Sequence, residues 1–272
     1  MARNLPEPPP VHARATILNN DRVATDSYRM TLEASDIAAL ARPGQFVQVR
    51  VSEEHDPFLP RPMSIGMADT KAGTIELLYK VVGDGTRLLS TRTVGESLRV
   101  LGPLGKSFQF PETGHVYLVG GGVGMPPMRF CAVRMPRDRV TVVQGARRAD
   151  LLLYRDELEA LGVKHLIATE DGSVGAKGLV TDLLERQLDS ASTPSEVFAC
   201  GPTPMLWAVA RVARAHSVPC QVSLEEHMAC GIGICMGCAV RKAGTPESDY
   251  SLVCVDGPVF DADDVFSTGI PQ

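Results

Sequence analysis

Three of the chain's seven cysteines fall inside nine residues, Cys230-Gly-Ile-Gly-Ile-Cys235-Met-Gly-Cys238, and Cys254 follows after fifteen more. Four thiolates at C-x4-C-x2-C...C spacing form the plant-type ligand pattern of a [2Fe-2S] cluster. Gly231, Gly233 and Gly237 would let the backbone turn tightly enough to aim its N–H groups at cluster sulfur. Four cysteines also suit tetrahedral zinc, although zinc sites commonly take ligands from two short knuckles, whereas here three come from one loop and the fourth stands apart. A third reading, buried free thiols, explains none of the spacing. His227, beside the loop, reads as a packing or hydrogen-bonding residue, because four cysteines already suffice.

Two further constellations could bind phosphate. Gly120-Gly121-Gly122-Val-Gly124-Met-Pro-Pro127 follows the apolar run His115 to Val119 and precedes a helical pattern. Glycines there let a pyrophosphate approach the backbone at a helix N-terminus, where unpaired N–H groups favour anions. Pro127 stands where a strict dinucleotide fingerprint has its third glycine, so a tight structural turn explains the motif equally well. Arg61-Pro62-Met63-Ser64 and Tyr79-Lys80-Val-Val-Gly83-Asp-Gly85-Thr86 form the other constellation. Arginine can fork onto phosphate, a serine hydroxyl can hydrogen-bond a flavin ring nitrogen, and a Gly-x-Gly-Thr turn opening a helix can hold a second phosphate. Each segment alone would read as a solvated arginine or a hairpin turn. Cys200-Gly201-Pro202 ends a further apolar run, at the carboxyl edge where α/β sheets bind ligands, although taken alone Cys200 reads as a buried core cysteine. Cys131 and Cys220 read as core residues.

The elements that must position these groups change character along the chain. Up to about residue 110 the pattern is strand-like: Val47, Val49 and Val51 alternate with polar residues, and Thr74 to Val82 forms a second run. Short strands at this spacing predict a small antiparallel barrel. From about 115, Val116 to Val119, Val140 to Val143, Leu166 to Thr169 and Val197 to Ala199 are apolar runs each followed by helical periodicity, which predicts a parallel α/β sheet. The best helix, Met205 to Ala215, follows Pro202 and Pro204 with Thr203 as its expected N-cap. The glycine-rich segment after 220 is too short to own a large core and should pack against what precedes it.

A length of 272 residues favours more than one domain, and 44% hydrophobic with 22% charged residues is a globular composition. The net charge of -5, without long runs of one sign, argues against nucleic acid or an anionic membrane as partner. No run reaches the length of a membrane span, and Met1 to Pro10 lacks the apolar core of a signal peptide. The expected location is the cytoplasm, where cysteines do not form a disulfide framework.

Taken in order, Arg-Pro-x-Ser, Gly-x-Gly-Thr, Gly-Gly-x-Gly-x-Pro-Pro and Cys-Gly-Pro resemble the ferredoxin-NADP reductase superfamily over roughly residues 12 to 218. The tail from Glu225 through Cys238, with Cys254-Val-Asp-Gly-Pro-Val-Phe260, resembles one branch, the electron-transfer subunits of class 1B dihydroorotate dehydrogenases. The resemblance implies an FAD-binding β-barrel over 1–110, an NAD-binding α/β domain over 111–219 and a small [2Fe-2S] domain over 220–272. It implies that Arg61, Pro62, Met63, Ser64, Leu78, Tyr79 and Lys80 contact FAD, and that Gly85 and Thr86 hold its phosphate. Gly121, Gly122 and Gly124 would approach NAD(H), and Cys200 would lie near the nicotinamide. Many members carry tyrosine where this chain has Met63. Hydride transfer needs no general acid or base, so Ser64 and Cys200 are candidates only as positioning groups beside the reacting atoms. The implied partner is an FMN-containing dihydroorotate dehydrogenase catalytic subunit, in a heterotetramer of two copies each, with the face around Gly231, Ile232, Gly233 and Met236 as the expected contact. The alternatives are a superfamily reductase feeding an oxygenase, a hydrogenase or sulfur metabolism, and a zinc-stapled binding module. NADH is the expected nucleotide, although Arg147 and Arg148 could pair with a 2'-phosphate.

Overall fold

The computed structural model describes residues 9–246 and 248–266, so most of the proline-rich start, residues 1–8, lies outside the described residues. The first half closes into a six-stranded barrel, ordered β1-β2-β5-β4-β3-β6, with every pairing antiparallel. Its strands are β1 (Val11–Ala24), β2 (Ser27–Glu33), β3 (Phe46–Arg50), β4 (Arg61–Asp69), β5 (Thr74–Lys80) and β6 (Ser97–Leu104). Two short helices, α1 (Ser35–Leu40) and α2 (Asp84–Ser90), interrupt them. Period-2 alternation builds the interior: Val47 and Val49 of β3 and Ile75 and Leu77 of β5 join Ile17 and Met30 in the barrel core.

The second half is a seven-stranded sheet ordered β10-β9-β8-β7-β11-β12-β15. Four strands coincide with the predicted apolar runs: β7 (His115–Gly121), β8 (Val140–Ala146), β9 (Lys164–Thr169) and β11 (Ser195–Cys200). The others are β10 (Ala176–Lys177), β12 (Cys220–Ser223) and β15 (Val259–Asp261). The connecting helices are α3 (Met125–Arg134), α4 (Arg155–Leu161), α5 (Val180–Asp189) and α6 (Thr203–Ala215). Helix α6 corrects one expectation: Pro202 stands at the N-cap, and Thr203 is the first helical residue and caps nothing. Proline suits a helix start because its missing N–H would have no intrahelical partner there.

The cysteine segment is built onto this sheet. Strand β12 runs parallel to β11, and β15 returns antiparallel beside β12. Between them lie the cysteine loop and a small hairpin, β13 (Ala239–Arg241) with β14 (Tyr250–Leu252), and α7 (Ala262–Val265) closes the described chain. Cys238, Cys254 and Phe260 share one apolar core with Val197 and Val222 of the sheet and Phe46 and Leu104 of the barrel. A segment too small for its own core thus borrows one from both neighbours.

Candidate cofactor sites between the barrel, the sheet and the cysteine loop

Strand β4 carries the first group of candidates. Its register sets Ser64 opposite Phe46, Met63 opposite Val47 and Pro62 opposite Gln48. Because successive side chains alternate, Pro62 and Ser64 share the outer face with Phe46 and Gln48, while Met63 turns inward and packs in the barrel core at 5% exposure. Met63 can therefore meet a flavin only through its backbone. Tyr79 is corrected likewise: its ring lies in the barrel core, its hydroxyl donates to Asn20 Oδ1 at 2.8 Å, and burial raises it above the usual phenol range. On the outer face of β5, Lys80 is exposed and Leu78 is buried in the interface with the sheet.

At the start of α2 the turn brings two predicted groups together. A Cβ on Gly85 would overlap the Arg61 guanidinium, which also donates to the Leu59 carbonyl. The Thr86 hydroxyl is occupied by the turn itself, accepting from Val82 N at 3.0 Å and Gly83 N at 3.2 Å. The space in front of Gly83 is open, with no atom within 4 Å of where a Cβ would stand. Guanidinium, exposed lysine and open glycine backbone together fit a phosphate-bearing group.

The glycine loop after β7 has the complementary shape. Gly122 has φ of +56° and nothing within 4 Å of its Cβ position, leaving its backbone open to a ligand. Gly124 serves packing, because a Cβ there would collide with the Cys200 carbonyl. That contact unites the two motifs of the sheet edge. Cys200 itself is 0% exposed, and burial pushes its thiol far above the usual range. Its side chain packs in the core beneath the glycine loop.

The cysteine loop divides its thiols into two pairs. Cys230 Sγ accepts backbone N–H bonds from Ile232 at 3.5 Å and from Ile234 and Cys235 at 3.4 Å. Burial pushes this thiol up, but the N–H donors and the neighbouring Cys235 side chain outweigh it and bring it down to about 7. Cys238 and Cys254 form the second pair, their sulfurs 3.2 Å apart, and burial together with the Cys238 thiol pushes Cys254 up to about 12. Two pairs of thiols, one of them inside a nest of N–H donors, fit a two-iron cluster in which each iron takes two cysteines.

One arrangement was invisible in the sequence. Glu76 Oε1 of β5 accepts from Arg129 Nη1 of α3 at 3.1 Å and from the Tyr154 hydroxyl at 3.0 Å, and the guanidinium lies 4.8 Å from the Tyr154 ring centroid. These residues fasten barrel to sheet. Their signal was absent because partners 53 and 78 residues apart leave no local pattern.

Comparison with known proteins agrees with this division. Residues 14–109 match the oxidoreductase FAD-binding domain, 118–211 the oxidoreductase NAD-binding domain, and 225–266 the iron-sulfur cluster binding domain of dihydroorotate dehydrogenase B. A dihydroorotate dehydrogenase B (NAD(+)) electron transfer subunit from Shouchella clausii is 40% identical, covering 93% of this chain and 97% of its own. The protein of the same name from Desulforamulus reducens is 39% identical, covering 90% and 95%. Among solved structures, that of an NADH-dependent reduced ferredoxin-NADP oxidoreductase superposes with a TM-score of 0.83 at 32% identity, over 93% of this chain and 90% of that one. An oxidoreductase subunit with FAD-, NAD- and iron–sulfur-binding parts, this chain belongs to the family of dihydroorotate dehydrogenase B electron transfer subunits.

Proposed function

We propose that this chain carries electrons from a separate FMN-containing dihydroorotate dehydrogenase subunit to NAD+, through a [2Fe-2S] cluster on Cys230, Cys235, Cys238 and Cys254 and an FAD on the outer face of β4 and β5. FAD, when bound, exchanges an electron pair with a nicotinamide and single electrons with an iron–sulfur cluster. The chain's residues place the sites. Arg61, Lys80 and the backbone at Gly83 and Gly85 bind phosphate, Ser64 presents its hydroxyl to the ring system, and the open backbone at Gly122 admits the nucleotide. The working parts are 1–110 for FAD, 111–219 for NAD(H) and 220–272 for the cluster.

The observation that carries this reading is the position of the cysteine loop. Its inner side lies against β3 through Gly231 and Gln48, while Ile234 at 76% exposure and Met236 at 53% flank the exposed Cys235 on its outer side. This refines the expected contact face: Gly231 is buried and Ile232 packs against the core, so the face presented outward is Ile234, Cys235, Met236 and Gly237. Apolar side chains exposed around a one-electron centre suit docking to a partner, since interprotein transfer needs proximity rather than a substrate pocket. A heterotetramer of two copies of each subunit accommodates such pairs. No helix among the described residues is long and apolar enough to cross a membrane, and the seven cysteines are unpaired, as in the cytoplasm.

The test is co-purification. The native chain should bring down an FMN-containing protein, and Ile234→Glu with Met236→Glu should weaken that association at least about tenfold, roughly 1.4 kcal/mol, while leaving FAD and cluster bound. Undiminished association in the double variant would place the interface elsewhere.

A further inference from the structure

Gln48 is 3% exposed, and among the described residues neither its Nε2 nor its Oε1 has a hydrogen-bond partner. A buried carboxamide with both ends unpaired is a rare and costly arrangement in a folded protein. The cause is its neighbourhood. On β3 it pairs with Pro62 of β4 on one side and Leu101 of β6 on the other, and neither side chain offers a polar group. Its third neighbour is the cysteine loop: a Cβ on Gly231 would stand 2.7 Å from Gln48 Cγ and 2.9 Å from Nε2. The side chain therefore lies directly against the residue after Cys230, and Gly231, at φ +72°, is the one residue type that allows both the backbone turn and the close approach.

Chemistry decides what completes the carboxamide. The sulfur shell of a thiolate-ligated iron–sulfur cluster is anionic, and hydrogen bonds to its sulfurs tune its potential. Cys230 Sγ already gathers three backbone N–H donors on its own loop. We propose that Gln48 is a tuning and positioning residue for the cluster, donating an Nε2–H to a cluster sulfide beside Cys230 from the strand that neighbours the flavin-binding strand. The inference rests on Cys230 being a cluster ligand. Gln48 pins the cysteine loop to β3, and hence to β4, while favouring the reduced, more negative state of the cluster. The spacing between the two electron carriers and the potential of one of them are then set by the same side chain.

The test uses the full chain loaded with FAD and cluster. Replacing the carboxamide by a side chain of similar length without donors, Gln48→Met, should move the cluster's midpoint potential to a more negative value and leave FAD content, iron, sulfide and the flavin potential unchanged. Gln48→Glu should move it further in the same direction, because a carboxylate repels the added electron. A cluster potential unmoved in both variants, with iron and sulfide intact, would overturn the proposal. Should either variant lose its cluster, native protein labelled with nitrogen-15 only in glutamine side chains decides: pulsed EPR of the reduced cluster should show coupling to a side-chain amide nitrogen, and its absence would equally overturn the proposal. The underlying ligand assignment fails separately: full iron and sulfide in Cys230→Ala would remove Cys230 from the ligand set.

Discussion

The four cysteines do not stand in equivalent surroundings, and that inequality makes their roles testable one at a time. Cys238 and Cys254 are buried side by side, while Cys235 is exposed at the loop's tip. Cys254→Ala should lose the visible cluster bands together with iron and sulfide, and FAD content should stay at the native level, because the flavin strand lies in the barrel. Retention of full iron and sulfide by that variant, measured by chemical assay, would remove Cys254 from the ligand set. The nucleotide preference rests on another pair. Arg148, which could have met a 2'-phosphate, is engaged by Asp150 at 3.0 Å, and a carboxylate there repels the phosphate. NADPH should therefore be used with kcat/KM at least about tenfold below NADH, and Asp150→Ser should narrow the gap by freeing the guanidinium. Steady-state kinetics with both nucleotides checks this. Motif spacing made the cysteines, Arg61 and the glycines legible, because their chemistry needs those residue types at those intervals. The side chains of Met63, Tyr79 and Cys200 all turn into a core, which a motif does not foretell: it identifies a strand position, but the register decides which side of the strand a side chain takes. Opposite Val47, Met63 can only point inward.

Among the elements, the strands and their order of appearance were readable because alternation in the barrel and apolar runs in the sheet leave clear periods. What escaped was the attachment of the last segment. Strand β15 spans Val259–Asp261, too short to carry a period, and its pairing with β12 joins residues about forty positions apart. The barrel-to-sheet fastening escaped for a similar reason, and it yields a prediction of contrast. Glu76 and Arg129 pair with side chains only 15% and 14% exposed, so Glu76→Ala leaves a guanidinium and a tyrosine hydroxyl without their acceptor and should cost about 3 kcal/mol of stability. The neighbouring pair between Arg29 of β2 and Glu157 of α4 has exposures of 34% and 37%, so screening leaves it little worth, and Glu157→Ala should cost at most about 1 kcal/mol. Urea denaturation of the two variants checks the order. Equal losses would mean that burial of the Glu76 pair contributes nothing special.

At the scale of the whole molecule, the cysteine segment packs against both barrel and sheet, and barrel and sheet pack on each other. The barrel meets the sheet through Gly66 of β4 against Pro126 of α3 and through Glu76 with Arg129 and Tyr154, and it meets the cysteine loop at Gln48 and Gly231. In the proposed path, electrons exchanged with a nicotinamide leave through the cysteine loop, on whose outer side Ile234 and Met236 are exposed. Under the proposed function, oxidation of dihydroorotate belongs to the partner. The direct measurement is anaerobic addition of dihydroorotate to the purified chain with FAD and cluster bound, followed at the visible flavin and cluster bands, first alone and then with the proposed FMN-containing partner. No bleaching alone, followed by bleaching and NAD+ reduction once the partner is present, is the predicted result. Bleaching of the isolated chain by dihydroorotate would contradict it.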